Sequence, residues 1–305
     1  LPGGCSRREI RVGVAPPYHP MNPSVAVVDG LRRAVVRTVN YSIVNGRYVV
    51  ADSDGVIRTR NRLVTLDADW EVVADREMVD LTGGARHPFP VSGFEDCRLF
   101  AWRGGLWCSA TARDLNAEGR CELVLLELDG EGRFAAAHVQ RTVRPDWNQK
   151  NWVPLVRGEE LFFLYTTDPT VVLKVDPATC QARFSGVTRP AISLAAARGG
   201  SQALRVDEGW LYLVHEAVDA PNARRTYLHR FVLLDDGLEV VRASDPFHFF
   251  GPGIEFAAGL ARDPSNGRLV VSLGIRDEEA CLAFLSEPGV LSALTLEARR
   301  PGRRT

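Results

Sequence analysis

Apolar residues in this chain come in short runs of Val, Leu, Phe, Trp and Tyr, broken every few positions by Gly, Asp or Pro. That pattern predicts strands joined by tight turns, and almost no stretch carries a helical period. One unit recurs: a polar cluster, an apolar strand, a turn containing Gly or Asp, then a second and more hydrophobic strand. The first strands run from Asn22 to Val28, Glu95 to Trp102, Lys150 to Val156, Gly200 to Leu204 and Glu255 to Leu260. The second strands follow as Leu31 to Arg37, Leu106 to Thr111, Leu161 to Tyr165, Trp210 to His215 and Leu269 to Gly274. A third strand ends at an acidic turn in four units, at Asp67, Asp129, Asp176 and Asp235, with a weaker counterpart around Cys281 to Leu285.

A fixed period signals a repeat architecture. The leucines Leu31, Leu106, Leu161, Leu211 and Leu269 are separated by 75, 55, 50 and 58 residues. Units of roughly 60 residues, each with three or four antiparallel strands, are the size of a propeller blade. A β-sandwich is the competing all-β fold, but it has no reason to place a polar cluster at the head of the same strand five times. The prediction is an all-β, five-bladed β-propeller over residues 1–305. Its first strands line a central channel, so Asn22, Asp96, Lys150 with Asn151, Ser201 with Gln202, and Glu255 are expected at one funnel mouth. Convergent polar groups in a concave site mark binding or catalysis, although a channel can also be merely wet. The second strands add polar ends at Arg37, His215 and Arg276-Asp277.

Composition narrows the partners. With 37 basic and 38 acidic residues and a net charge of -1, no global field attracts nucleic acid or an anionic membrane. The one basic run, Arg299 to Arg304, reads as a solvated end, and no run approaches the roughly 18 apolar residues of a membrane span. Six cysteines without C-x-x-C spacing signal neither zinc nor a redox pair, and read as reduced, buried thiols of a cytoplasmic protein without disulfides. Acids interleaved with arginines and a lysine give no metal signal, and no cofactor is expected.

The sharpest chemistry lies in Ser92-Gly93-Phe94-Glu95-Asp96-Cys97-Arg98-Leu99-Phe100, where two acids and an arginine interrupt an apolar strand. Burying such charge is costly unless it is paired or used. The segment is either a structural ion pair closing a turn or an acid held in place to bind something polar.

Several motifs together resemble the β-mannoside phosphorylase and hydrolase family. They are Asn22-Pro23-Ser24, Arg37, Gly93 to Arg98, Lys150-Asn151, Gly209-Trp210-Leu211-Tyr212-Leu213-Val214-His215, Tyr227 before Leu233-Leu234-Asp235, and Gly274-Ile275-Arg276-Asp277. The likeness runs from about Asn22 to Leu285, and the Glu-Asp-x-Arg segment and the Gly-Trp-Leu…His strand are its most specific parts. That family consists of five-bladed propellers, and related β-mannosyltransferases share the fold. Val36 to Tyr41, Lys150-Asn151-Trp152, Gly199 to Gln202 and Ile254 to Gly259 also look like a bacterial subgroup associated with glycosyltransferase polypeptides, which implies one domain of a longer protein.

The resemblance implies an inverting reaction at a β-mannosidic bond, with Asp96 as the acid, acting through a hydroxyl of the bound sugar. It implies phosphate contacts from Arg37, Arg98 and Lys150 and a phosphate-side tyrosine at Tyr227; the convergent polar groups Asn22, Glu95, Asn151, Ser201, Gln202, His215, Glu255 and Asp277 are the further candidates to contact substrate. The implied partners are a mono- or oligosaccharide with phosphate, a sugar 1-phosphate or a nucleotide sugar. Two departures stand out: Cys97 replaces the family's usual proline, and Thr166-Thr167-Asp168-Pro169 stands where an arginine and a histidine are expected. Each charge-assisted contact missing from an anion site forfeits on the order of 1–3 kcal/mol. Glycosyl transfer, phosphorolysis and hydrolysis therefore all stay open. Hydrolysis would need a second carboxylate, with Glu255, Glu216 and Asp277 as candidates. The rival from another class is a non-catalytic glycan-binding propeller.

Overall fold

In the computed structural model, which describes residues 5–141, 144, 146–220 and 224–297, the strands form five small, mainly antiparallel sheets around a central axis and one separate two-stranded hairpin. The basic run at Arg299 to Arg304 lies outside the described residues. Blade 1 comprises His19–Val28, Leu31–Val39, Ile57–Leu66 and Val72–Glu77, from the axis outward. Blade 2 comprises Glu95–Trp102, Gly105–Ala112, Glu122–Leu128 and Phe134–Val139. Blade 3 comprises Val153–Arg157, Glu160–Thr167, Thr170–Asp176 and Gln181–Thr188.

Blade 4 has a split inner strand, Arg198–Gly199 and Leu204–Val206, both paired with Gly209–Ala220, followed by Arg224–Leu234 and Val240–Ala243. Blade 5 comprises Glu255–Arg262, Leu269–Ile275 and Glu279–Leu285. Its fourth strand comes from the other end of the chain: Ser6–Glu9 pairs antiparallel with Glu279–Leu285 and closes the ring. That strand was invisible to hydrophobic patterning because Ser-Arg-Arg-Glu is mostly exposed at a sheet edge.

The apolar core is divided into interfaces between successive blades, as a propeller requires. Val25, Val36, Val64, Val270 and Leu282 join blades 1 and 5, and Val35, Leu63, Leu99, Cys108 and Val124 join blades 1 and 2. Trp102, Leu123, Trp152 and Phe163 fill the space between blades 2 and 3. Leu164, Tyr212, Val214 and Val232 fill that between 3 and 4, and Leu213, Phe231, Leu273 and Cys281 that between 4 and 5. Both faces of each sheet are thus buried, which explains the near-continuous apolar second strands; each such side chain contributes about 1.5–3 kcal/mol. The recurrent acidic turn has an equally local cause. Asp67, Asp129, Asp176 and Asp235 each accept backbone N–H bonds two or four residues ahead, closing the turn into the outer strand. All six cysteines are free thiols.

Along the axis, hydroxyl and amide side chains replace the ladder bonds that inner strands cannot make to one another. Ser24 Oγ accepts from Leu99 N, while Ser272 Oγ accepts from Val25 N and donates to Pro23 O. Gln202 Nε2 donates to Val25 O and Leu260 O, tying blade 4 to blades 1 and 5. The channel is thereby crossed by satisfied polar groups.

Candidate active site

Three inner strands carry, within their first few residues or just before them, a non-glycine residue in the left-handed region: Asn22 at φ 41°, Asp96 at φ 50° and Asn151 at φ 62°. Such backbone costs of order 1–3 kcal/mol and persists where surrounding contacts fix it. In blades 1 and 2 it coincides with a bulge, between Met21 and Ser24 and opposite Ser109 to Thr111. The bulge turns the side chain of Asn22 or Asp96 into the funnel. Gly274 makes room for the first of these, since a Cβ there would sit 2.0 Å from Asn22 Oδ1.

These heads are wired together. Asp96 Oδ1 accepts from Asn22 Nδ2 at 2.8 Å and from Arg37 Nη1 at 2.9 Å. Arg37 also gives Nη2 to Glu95 Oε2 at 2.9 Å and Nε to Thr59 Oγ1 at 3.1 Å. Arg98 donates Nη1 to Asp96 O, Nη2 to Asn151 Oδ1 and Nε to Gly200 O, joining blades 2, 3 and 4. Every nitrogen of both guanidiniums is engaged, so their first task is to hold the ring. Asp96 Oδ2 accepts no hydrogen bond among the described residues, and the side chain keeps 21% of its surface open.

The carboxyls are driven apart electrostatically. Burial pushes Asp96 up, but Arg37, Arg98 and the bonds from Asn22 and Arg37 outweigh it and hold the group below the usual carboxylate range. Burial raises Glu95 above its ordinary value despite Arg37, with Asp96 adding to the rise. Asp277 is raised for the same reason, against the pull of Arg37 and a 3.3 Å bond from Tyr41 Oη. The resting site thus holds an ionised Asp96 beside two carboxyls that resist ionisation.

His215 is buried, 4.9 Å edge-on to Phe256 and 5.3 Å from Tyr227, and lies in the middle of its strand rather than at the expected end, because the strand continues to Ala220. Burial, with His229 and nearby cations, keeps it well below its ordinary value and hence neutral. Tyr227 is half-buried, its hydroxyl raised by burial, hydrogen-bonded by Arg225 and acted on by Asp277 and Asp96. Lys150 is exposed and, among the described residues, has no ion pair; its charge acts on Glu95.

Three expected site residues are turned elsewhere. Gln202 spends its amide on Val25 and Leu260, and Ser201 Oγ bridges Gln202 O and Leu213 N. Glu255 caps a loop: its carboxylate accepts from the backbone N–H groups of Phe249, Phe250 and Gly251 at 2.8–3.1 Å. The physical reason is register. Blade 4 breaks its inner strand at 200–203, and blade 5 carries its bulge at Ala257 to Gly259, after Glu255. Equal spacing along the chain therefore does not mean equal facing. Glu216, considered as a water-activating base, is paired with Arg230 at 2.9 Å.

Three groups joined the site without having been assigned to it. Thr59 seats Arg37, Tyr41 holds Asp277, and Arg113 acts with Lys150 on Glu95. Arg113 directly follows the second strand of blade 2, as Arg276-Asp277 follow that of blade 5, whereas Arg37 and His215 lie within theirs; a cation at a strand end was the available signal. Among the described residues no cluster of His, Cys, Asp and Glu could hold a metal ion, and no helix is long and apolar enough to cross a membrane.

No family model matches the chain, and no curated protein matches its sequence. Solved structures do. The β-1,2-mannobiose phosphorylase of Listeria innocua superposes with a TM-score of 0.61 at 13% identity, covering 92% of this chain and 94% of that one. A protein described within the GH130 family of mannoside phosphorylases, as a hydrolase type targeting β-1,2 mannosidic linkages in Candida mannan, gives 0.62 at 11% identity over 93% and 87%. The mannose phosphorylase MPT-4 of Leishmania mexicana, solved with a phosphate ion, gives 0.56 at 13% identity over 96% and 92%. At such identities the likeness is one of fold: the chain shares the five-bladed propeller of the mannoside phosphorylases and hydrolases that its motifs resemble.

Proposed function

We propose that this protein is a carbohydrate-active enzyme that makes and breaks a β-mannosidic bond with inversion, exchanging an acceptor hydroxyl for phosphate. The observation that carries this reading is the Asp96 carboxylate, clamped by Arg37 and Asn22 on one oxygen and open to the funnel on the other. Lys150 and Arg113, whose charges act on the adjacent Glu95, are cations suited to an anionic group.

In the synthetic direction, the open oxygen of ionised Asp96 takes the proton of the acceptor hydroxyl, directly or through a sugar hydroxyl. The acceptor oxygen attacks C1 of an α-linked mannose 1-phosphate from the face opposite phosphate. The C1–O–phosphate bond breaks, its electron pair leaves with phosphate, and a β-mannoside results. In the phosphorolytic direction Asp96 returns that proton to the departing oxygen while phosphate attacks C1. The clamp favours the ionised form, so Asp96 is poised as the base at rest; a bound phosphate offsets the field of the cations and makes protonation easier.

Hydrolysis is the second reading, and one observation keeps it: with Glu255 and Glu216 committed to structural contacts, Asp277 is the remaining candidate to activate water. The test is incubation with mannose 1-phosphate plus acceptor sugars, with nucleotide mannose, and with β-manno-oligosaccharides with and without phosphate. Formation of β-mannosides from mannose 1-phosphate, and phosphate-dependent cleavage, supports the proposal. Cleavage without phosphate supports hydrolysis, and glycan binding without any product returns the protein to the non-catalytic class.

A further inference from the structure

The funnel rim is uneven, and the unevenness follows from strand length. Blade 5 joins its second and third strands by residues 276–278 alone. Its neighbours rise higher. In blade 4 the paired strands Gly209–Ala220 and Arg224–Leu234 are 12 and 11 residues long, against 7 and 7 in blade 5. In blade 1 the corresponding connection is a hairpin of its own, Tyr41–Val44 and Arg47–Val50, turned at Asn45-Gly46 with φ of 50° and 76°. The short loop bearing Asp277 therefore lies between the longer edges of blades 1 and 4.

The blade 1 hairpin is anchored. Buried Asn40 donates to Asp52 Oδ2 and Val56 O and accepts from Arg58 N, pinning both ends of the excursion. Tyr41 packs at its base against Met21 and Val39. Tyr48 sits above, 5.0 Å from Tyr41 and edge-on at 74°, yet 58% exposed. Its hydroxyl is within the fields of Asp277, Arg37 and Glu95 on the site side and of Arg225 from the opposite wall. An exposed, fixed aromatic ring beside a sugar-sized polar site needs an occupant with an apolar face and hydroxyl edges, as a pyranose ring has.

We propose that Tyr48 is the platform for the second sugar of a bound disaccharide, a specificity-determining residue that selects the acceptor held between the Tyr48 hairpin and the Tyr227–Arg225 wall. This rests on the carbohydrate reading of the funnel. The first sugar occupies the ring around Asp96, and the second lies over Asp277 with one face on Tyr48.

The test is calorimetric titration, in phosphate-free buffer, of wild type, Tyr48→Ala and Tyr48→Phe with β-1,2-mannobiose and with mannose. The expected result is roughly tenfold weaker mannobiose binding by Tyr48→Ala, unchanged mannose binding, and wild-type behaviour of Tyr48→Phe. Equal mannobiose affinity in wild type and Tyr48→Ala overturns the platform alone, as does an equal loss for mannose. Phe behaving like Ala would assign the effect to the hydroxyl and also overturn it. A wild type that binds neither sugar sinks the carbohydrate reading and the platform with it; one that binds mannobiose normally without Tyr48 sinks only the latter.

Discussion

Arg37 Nη1 lies 2.9 Å from Asp96 Oδ1, joining the second strand of blade 1 to the head of the inner strand of blade 2. Only 5% of the arginine side chain is exposed, so this pair and its twin to Glu95 sit where solvent screens little. The pair fixes the orientation and the charge of Asp96 at once.

Arg37→Ala is accordingly expected to act on stability as well as on an anionic substrate. It leaves two inward carboxylates without their cation, and breaking a buried pair in this way costs about 3–5 kcal/mol. Urea unfolding of the variant checks this. The resemblance pointed chiefly to phosphate affinity for Arg37, and a variant as stable as wild type would restore that simpler role.

Lys150→Ala should behave oppositely. The side chain is exposed and has no ion pair among the described residues, so stability should stay within about 0.5 kcal/mol. If Lys150 holds phosphate equally in the ground and transition states, KM for phosphate or mannose 1-phosphate rises while kcat holds. Steady-state kinetics at varied phosphate separates the two effects.

Glu255→Gln should cost about 2 kcal/mol of stability, because an amide cannot accept the three backbone N–H bonds that the carboxylate receives from residues 249–251. Sugar affinity should change little in the folded variant. Thermal denaturation alongside mannose titration distinguishes this from a role at the substrate.

The contrast between Glu255 and Asp96 shows how far the chain alone could be read. Blades were legible because each second strand is buried on both faces and each acidic turn closes itself with its own side chain; neither needs the rest of the fold. Asp96 was legible for a similar reason, since a charged triplet inside an apolar strand must be accounted for. Facing was not legible. Asn22, Asp96 and Asn151 enter the funnel through left-handed backbone at the strand head, while Glu255 and Gln202 stand near matching places in the repeat and turn away. A one-residue bulge makes that difference, and it leaves no mark in hydrophobic spacing. Closure by Ser6–Glu9 was hidden because an edge strand needs no apolar face.

Asp277 provides a pH test. Its folded pKa is raised above the unfolded value, so folding favours the protonated form. The associated stability is present below the unfolded value, near 3.9, and is lost as pH rises through the raised one. Asp277→Asn, whose amide oxygen can still accept from Tyr41, should be more stable than wild type at pH 8 and lose that advantage toward pH 4. Thermal midpoints at both pH values check it. For Asp96 the sign reverses: its depressed pKa contributes stability that is lost as acid drives the pH down through it.

The central claim is that Asp96 moves the proton at the glycosidic oxygen. It is tested most directly by comparing wild type and Asp96→Asn in the synthesis of β-mannosides from mannose 1-phosphate, with mannose binding measured on the same samples. Turnover is expected to fall by about 10² to 10⁴ with binding retained, since the amide keeps the bond to Arg37 through its oxygen but cannot exchange the proton. Full turnover by Asp96→Asn would contradict it.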